Sequence, residues 1–135
     1  MRKPMPQVRE FMTPMPKTLP ASAPLEEALG LMREYGIRHL PIEEAGQLVG
    51  VLSDRAVKSA TASGWAKNLT VGDVMIGDPF TASTETPLDA VASVMAEEKY
   101  GCAILCDDAG KVQGIFTTVD ACRALRQLLE SVYPE

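Results

Sequence analysis

Leu48-Val49-Gly50-Val51-Leu52-Ser53-Asp54 and Val112-Gln113-Gly114-Ile115-Phe116-Thr117-Thr118 are one phrase written twice. Each is an apolar run around a glycine, closed by a hydroxyl residue, which reads as a short buried strand feeding directly into a helix. Working outward, the same displacement of 64 residues pairs Gly46 with Gly110. Upstream the displacement is 63, one residue having been absorbed in a turn. There Phe11-Met12 matches Val74-Met75, Pro16 matches Pro79, and Thr18 matches Thr81. Pro24-Leu25 then matches Pro87-Leu88, and Met32 matches Met95. A duplicated unit on the order of 50 residues is short for a core of its own, so the two copies are expected to pack against each other.

Each copy predicts the same elements. A short Met-bearing turn leads into an extended piece, Lys17-Thr18-Leu19 or Phe80-Thr81-Ala82. A helix follows, opened by Pro24 or Pro87 with acids just behind, Glu26 and Glu27 or Asp89. Its apolar positions are Leu25, Ala28, Leu29 and Met32, or Leu88, Val91, Ala92 and Met95, the spacing of a single buried face. Two short apolar runs around the turns Glu43-Glu44-Ala45-Gly46 and Asp107-Asp108-Ala109-Gly110 predict hairpins. The closing helix of the second copy carries Ala121, Leu125, Leu128 and Val132 on one face. The order in each copy is strand, helix, strand, strand, helix, which makes the fold class α/β (α+β), with helices packed on small sheets. The repeats are placed at residues 8–63 and 71–133, with a linker at 64–70 whose Trp65 is expected to pack against a helix.

Composition narrows the function. Of 135 residues, 46% are hydrophobic and 23% charged, which excludes wholesale disorder. No apolar stretch approaches the ~20 residues of a membrane-spanning helix, and no secretory signal is visible, so a cytoplasmic protein is expected. Thirteen Lys and Arg against 18 Asp and Glu leave a net charge of −5 with no basic stripe, which argues against a long nucleic acid as partner. Cys102, Cys106 and Cys122 are an odd number and do not suggest a disulfide framework. On one strand Cys102 and Cys106 would lie roughly 13 Å apart, too far for one metal ion. His39 is the single histidine. No metal site, nucleophile-base pair or glycine-rich phosphate loop stands out, and no enzyme is expected.

The doubled pattern resembles a tandem pair of cystathionine-β-synthase (CBS) domains, a Bateman module. The resemblance rests on Phe11-Met12-Thr13-Pro14, on Gly36-Ile37-Arg38-His39-Leu40-Pro41-Ile42, and on the first phrase quoted above. In the second copy it rests on Asp73-Val74-Met75 and on the run from Val112 to Asp120. It implies two β-α-β-β-α repeats packed as a pseudo-two-fold pair, standing alone without an effector domain. It also implies a non-catalytic regulatory role, of the energy-sensing kind. The ligand would be adenosyl (AMP, ADP, ATP or S-adenosylmethionine), with no cofactor required and with an effector protein that the residues do not name.

The family's ligand signature is glycine, a hydrophobe, any residue, Ser or Thr, two further residues, and Asp. The second copy has it complete from Gly114 to Asp120. A helix start offers free N–H groups and a positive dipole end to a phosphate, and Asp120 can accept from a ribose diol. Thr117-x-x-Asp120 is equally a helix-capping pattern. The resemblance places Ile115, Thr117, Thr118 and Asp120 in a cleft between the copies, facing Thr18 and Leu19, with Arg38 and His39 reaching ligand phosphates. The opposite cleft would join Val51, Ser53 and Arg55 to Phe80, Thr81 and Ala82. It departs from the signature, because Ala56 stands where the acid should be. That departure supports a competing reading, a structural dimerisation or docking module with degenerate ligand sites. In either reading the helices from Pro24, Pro87 and Asp120 are expected to meet a second pair in a homodimer.

Overall fold

The structure, a computed structural model, describes residues 3–64 and 66–134 (for residue 66, the backbone alone), so Trp65 lies outside the described residues. Pro24 and Pro87, with φ already near −60°, stand as the N-caps of two helices of equal length, α1 (Leu25–Tyr35) and α4 (Leu88–Glu98). Both bury the predicted stripe: Leu25, Ala28 and Met32 in α1, and Leu88, Val91 and Met95 in α4. Ala92 is exposed and Leu29 half-buried, because both sit at the margin of the stripe, one position round from its centre. The other elements are β1 (Thr13–Pro14), β2 (His39–Glu44), β3 (Gln47–Ser53), α2 (Asp54–Ala62), α3 (Val71–Val74), β4 (Thr81–Ala82), β5 (Cys102–Cys106), β6 (Val112–Thr117) and α5 (Thr118–Val132).

The chain divides into two units. One gathers the chain through Met15, Phe80–Asp107 and everything from Gln113 onward. Its sheet has the order β1-β6-β5-β4. Thr13 and Pro14 of β1 lie antiparallel to Ile115 and Gly114, and β4 runs parallel to β5 with Thr81 opposite Ile104. Its core contains Val8, Leu88, Val91, Met95, Leu105 and Phe116. Beside them on α5 only Asp120 and Ala124 are buried, while Leu125, Leu128, Leu129 and Val132 are 58%, 40%, 47% and 66% exposed.

The other unit is built from Pro16–Pro79 and Asp108–Val112. Its hairpin β2–β3 sets Leu40 opposite Leu52 and His39 opposite Ser53. Single-residue bridges hold the two edge positions, Leu19 parallel to Ile42 and Ile76 antiparallel to Val51. The extended piece predicted at Lys17–Leu19 is therefore reduced to one bridging residue. The turn at Asp108–Val112 closes this unit, with the Leu48 N–H donating to the Gly110 carbonyl at 3.0 Å.

The leading segments are exchanged relative to sequence order. Phe11-Met12-Thr13 opens the first repeat, yet Thr13 pairs in the sheet of the second. Val74-Met75-Ile76 opens the second repeat and lies along β3 of the first. The reason is visible at the glycine in each signature phrase. A Cβ on Gly50 would stand 2.7 Å from the Ile76 carbonyl oxygen and press on the Met75 side chain. One on Gly114 would collide with Met12 and stand 3.1 Å from the Thr13 carbonyl oxygen. Glycine at each place lets a Met-bearing segment cross the strand in close contact.

Candidate functional site

In the first-described unit, β6 runs into α5 at Thr117, whose extended backbone (φ −101°, ψ 172°) makes it the helix N-cap. Thr117 Oγ1 accepts from the Asp120 N–H at 3.2 Å. In return Asp120 Oδ2 accepts from the Thr117 N–H at 2.9 Å and from Thr117 Oγ1 at 3.1 Å. The capping box legible in the sequence is thus formed in full. It does not exhaust the carboxylate. Asp120 Oδ1 accepts from Thr13 Oγ1 at 3.2 Å, and Arg123 Nη1 stands 3.6 Å away on a largely exposed side chain. A carboxylate has about four acceptor positions, so Oδ1 keeps room for another donor. Asp120 is 5% exposed and is the one buried charged side chain among the described residues.

Further candidates lie in the same unit as this carboxylate. Ile115 is buried, opposite Thr13. Thr118 is exposed, and its N–H donates to the Gly101 carbonyl at 3.1 Å. Phe80 stacks on Tyr100 with ring centroids 5.5 Å apart, Thr81 is exposed, and Ala82 pairs with Leu105. Thr13 is not singled out by sequence reasoning. The signal that finds it is internal: its counterpart at a displacement of 63 is Ile76, just as the counterpart of Asp120 is Ala56.

The other unit repeats the backbone of this site with different chemistry. Ser53 caps α2, its Oγ accepting from the Ala56 N–H at 3.2 Å, and Ala56 offers no carboxylate. Val51 is buried, Arg55 is exposed, and Asp54 turns along the helix to Lys58 at 3.4 Å. The Asp54 N–H donates to the Arg38 carbonyl at 2.8 Å, matching Thr118 and Gly101. Arg38 is itself exposed. His39 is half-buried, and among the described residues its Nδ1 has no hydrogen-bond partner. Burial holds its imidazole below the ordinary value of 6.5, with Asp54 opposing and Arg38 reinforcing the shift. Burial thus disfavours the protonated form of His39. Thr18 is half-buried and Leu19 is buried against the hairpin.

Nothing among the described residues gathers three His, Cys, Asp or Glu side chains at a metal-binding spacing. Cys102 and Cys106 sit at the two ends of β5, and burial pushes the Cys102 thiol up to about 12. No helix among the described residues is long and apolar enough to cross a membrane.

The CBS domain model matches residues 8–63 and 71–127. The chain belongs to the CBS domain family. Among solved CBS pairs, that of protein MJ0100, crystallised with 5′-methylthioadenosine and S-adenosyl-L-methionine, is 28% identical with a TM-score of 0.84, covering 92% of this chain and 98% of that one. CBSX2 of Arabidopsis thaliana, crystallised with AMP, is 29% identical with a TM-score of 0.81, covering 90% and 97%. Among curated proteins, the L-aspartate semialdehyde sulfurtransferase of Methanocaldococcus jannaschii is 29% identical over 91% of this CBS pair. The chain spans about a quarter of that enzyme's length, 24%, and 19% of an inosine-5′-monophosphate dehydrogenase from Korarchaeum cryptofilum that it also matches.

Proposed function

We propose that this CBS pair is a non-catalytic regulatory module whose second repeat binds an adenosyl ligand. Asp120 takes the ribose hydroxyls, and the positive dipole end at the start of α5 faces a phosphate or its substitute. The observation that carries the reading is the burial of Asp120. An ionised carboxylate is costly to bury, and a helix cap does not require it. Thr70 and Asp73 complete the same box at the start of α3 with Asp73 exposed. The ligands in the MJ0100 and CBSX2 crystals, all of them adenosyl compounds, support the same class here. The first repeat, with Ala56 in place of the acid, is read as the weaker or empty counterpart, so one ligand per chain is expected.

Calorimetric titration with AMP, ATP and S-adenosylmethionine tests this. Hydrogen bonds to a charged group contribute roughly 1.5–3 kcal/mol each. Asp120→Ala is therefore expected to weaken binding at least tenfold, tenfold being about 1.4 kcal/mol. The lost cap costs about 1 kcal/mol more in stability, so the variant still folds. If none of the three compounds binds saturably, the structural docking reading replaces this one. We further propose that the module works as a cytosolic homodimer joined through the exposed stripe Leu125, Leu128, Leu129 and Val132 of α5.

A further inference from the structure

We infer that Thr13 is a positioning residue of the Asp120 site, a deepening that rests on the ribose-binding reading above. Three observations carry it. First, its hydroxyl donates to Asp120 Oδ1 at 3.2 Å across 107 positions of sequence, a contact that the exchange of leading segments creates. Second, the cap does not need this donor. At the start of α3, Asp73 accepts from Thr70 alone among the described residues, and that box is complete. In the Asp120 box both donors from Thr117 go to Oδ2. Oδ1, the oxygen left to a ligand, is met by Thr13, whose hydroxyl also lies 3.4 Å from Oδ2, and by a distant, exposed Arg123. Third, the molecule contains its own control. Ile76 lies against Val51 in the antiparallel register that Thr13 has with Ile115. There the carboxylate is replaced by Ala56 and the hydroxyl by an isoleucine. Backbone and crossing segment are kept in both places, and the hydroxyl accompanies the acid.

The physical role follows from the geometry. A carboxylate that must meet a ribose hydroxyl gains from having its plane set beforehand, since the ordering is then not charged to binding. Thr117 holds Oδ2 from the helix side, and Thr13, 3.2 Å from Oδ1 and 3.4 Å from Oδ2, straddles the carboxylate from β1. The second acceptor position on Oδ1 stays directed at the ligand.

The test compares AMP with 2′-deoxy-AMP by calorimetry for the parent, Thr13→Val and Thr13→Ser, each checked by thermal unfolding. Thr13→Val keeps the shape and removes the hydroxyl, while Thr13→Ser keeps the hydroxyl. The expected result is a five- to tenfold loss of AMP affinity in Thr13→Val with 2′-deoxy-AMP changed less than twofold, so that ribose discrimination falls. Thr13→Ser is expected to restore it. A folded Thr13→Val whose AMP affinity and discrimination equal or exceed the parent's overturns the positioning role and leaves the ribose-binding reading standing. A parent that binds none of AMP, ATP and S-adenosylmethionine, or that binds AMP and 2′-deoxy-AMP equally, overturns the reading of Asp120 and this inference with it.

Discussion

Adding one methyl group to Gly50 or Gly114 tests the exchange of leading segments directly. At Gly50 the new Cβ meets the Ile76 carbonyl oxygen at 2.7 Å, well inside van der Waals contact, and the Met75 side chain as well. A backbone oxygen cannot swing aside, so the segment Met75–Ile76 must move off β3, straining its two bonds with Val51 at 2.9 and 3.0 Å. At Gly114 the nearest obstacle is the flexible Met12 side chain, and the Thr13 carbonyl oxygen stands at 3.1 Å, a distance that a shift of a few tenths of an ångström relieves. Overpacking of this kind costs roughly 1–3 kcal/mol. Gly50→Ala is expected near the upper end of that range and Gly114→Ala near the lower. With a urea m-value of about 1.5 kcal/mol/M, a loss of 3 kcal/mol lowers the unfolding midpoint by about 2 M. Double-mutant cycles then locate the contact. Met75→Ala should relieve part of the Gly50→Ala penalty, and Met12→Ala part of that at Gly114. Coupling of Gly50 to Met12 instead, the pairing that sequence order suggests, would refute the reasoning.

Two further outcomes are expected. His39 resists protonation when folded, whereas the unfolded imidazole takes up a proton near its ordinary value of 6.5. The unfolded state then binds more protons, so stability should fall as pH drops from 7 toward 5.5. Because His39 is the only histidine, His39→Gln should flatten that slope in urea unfolding, and an unchanged slope defeats the assignment. The α5 stripe should hold two chains together, so light scattering at micromolar concentration should give twice the 14.5 kDa chain mass, and Leu125→Glu with Leu129→Glu should give one. A parent that runs at 14.5 kDa removes the dimer.

Periodicity was enough for the helices. The spacing of Leu25, Ala28 and Met32 and of Leu88, Val91 and Met95 is a local property, and a helix that must hide one face has one way to do so. The capping box at Thr117 and Asp120 was equally legible, since its partners are three residues apart and meet within a single turn. The exposed face of α5 was not separable from a buried one, because Leu125, Leu128 and Val132 have the same period whether a core or a second chain covers them. The environment of His39 was not legible either, because its burial and the opposing influences of Asp54 and Arg38 depend on the folded hairpin.

By itself, the sequence determined that the chain is a duplicated CBS pair, where the helices and hairpins lie, and that the acid of the ligand signature is present in one repeat and absent from the other. Those are statements about spacing and local chemistry, and they survive without knowing what touches what. Only the tertiary structure decided which repeat each Met-bearing segment covers, and so that Thr13 belongs to Asp120. The repeat makes Met12 and Met75 equivalent in local chemistry, so the pairing that sequence order suggests, Met12 with Gly50, cannot be told from the exchanged one by the residues themselves. The choice is made by long-range strand pairing, Thr13 with Ile115 and Ile76 with Val51, whose hydrogen bonds and close glycine contacts depend on how the chain returns to itself.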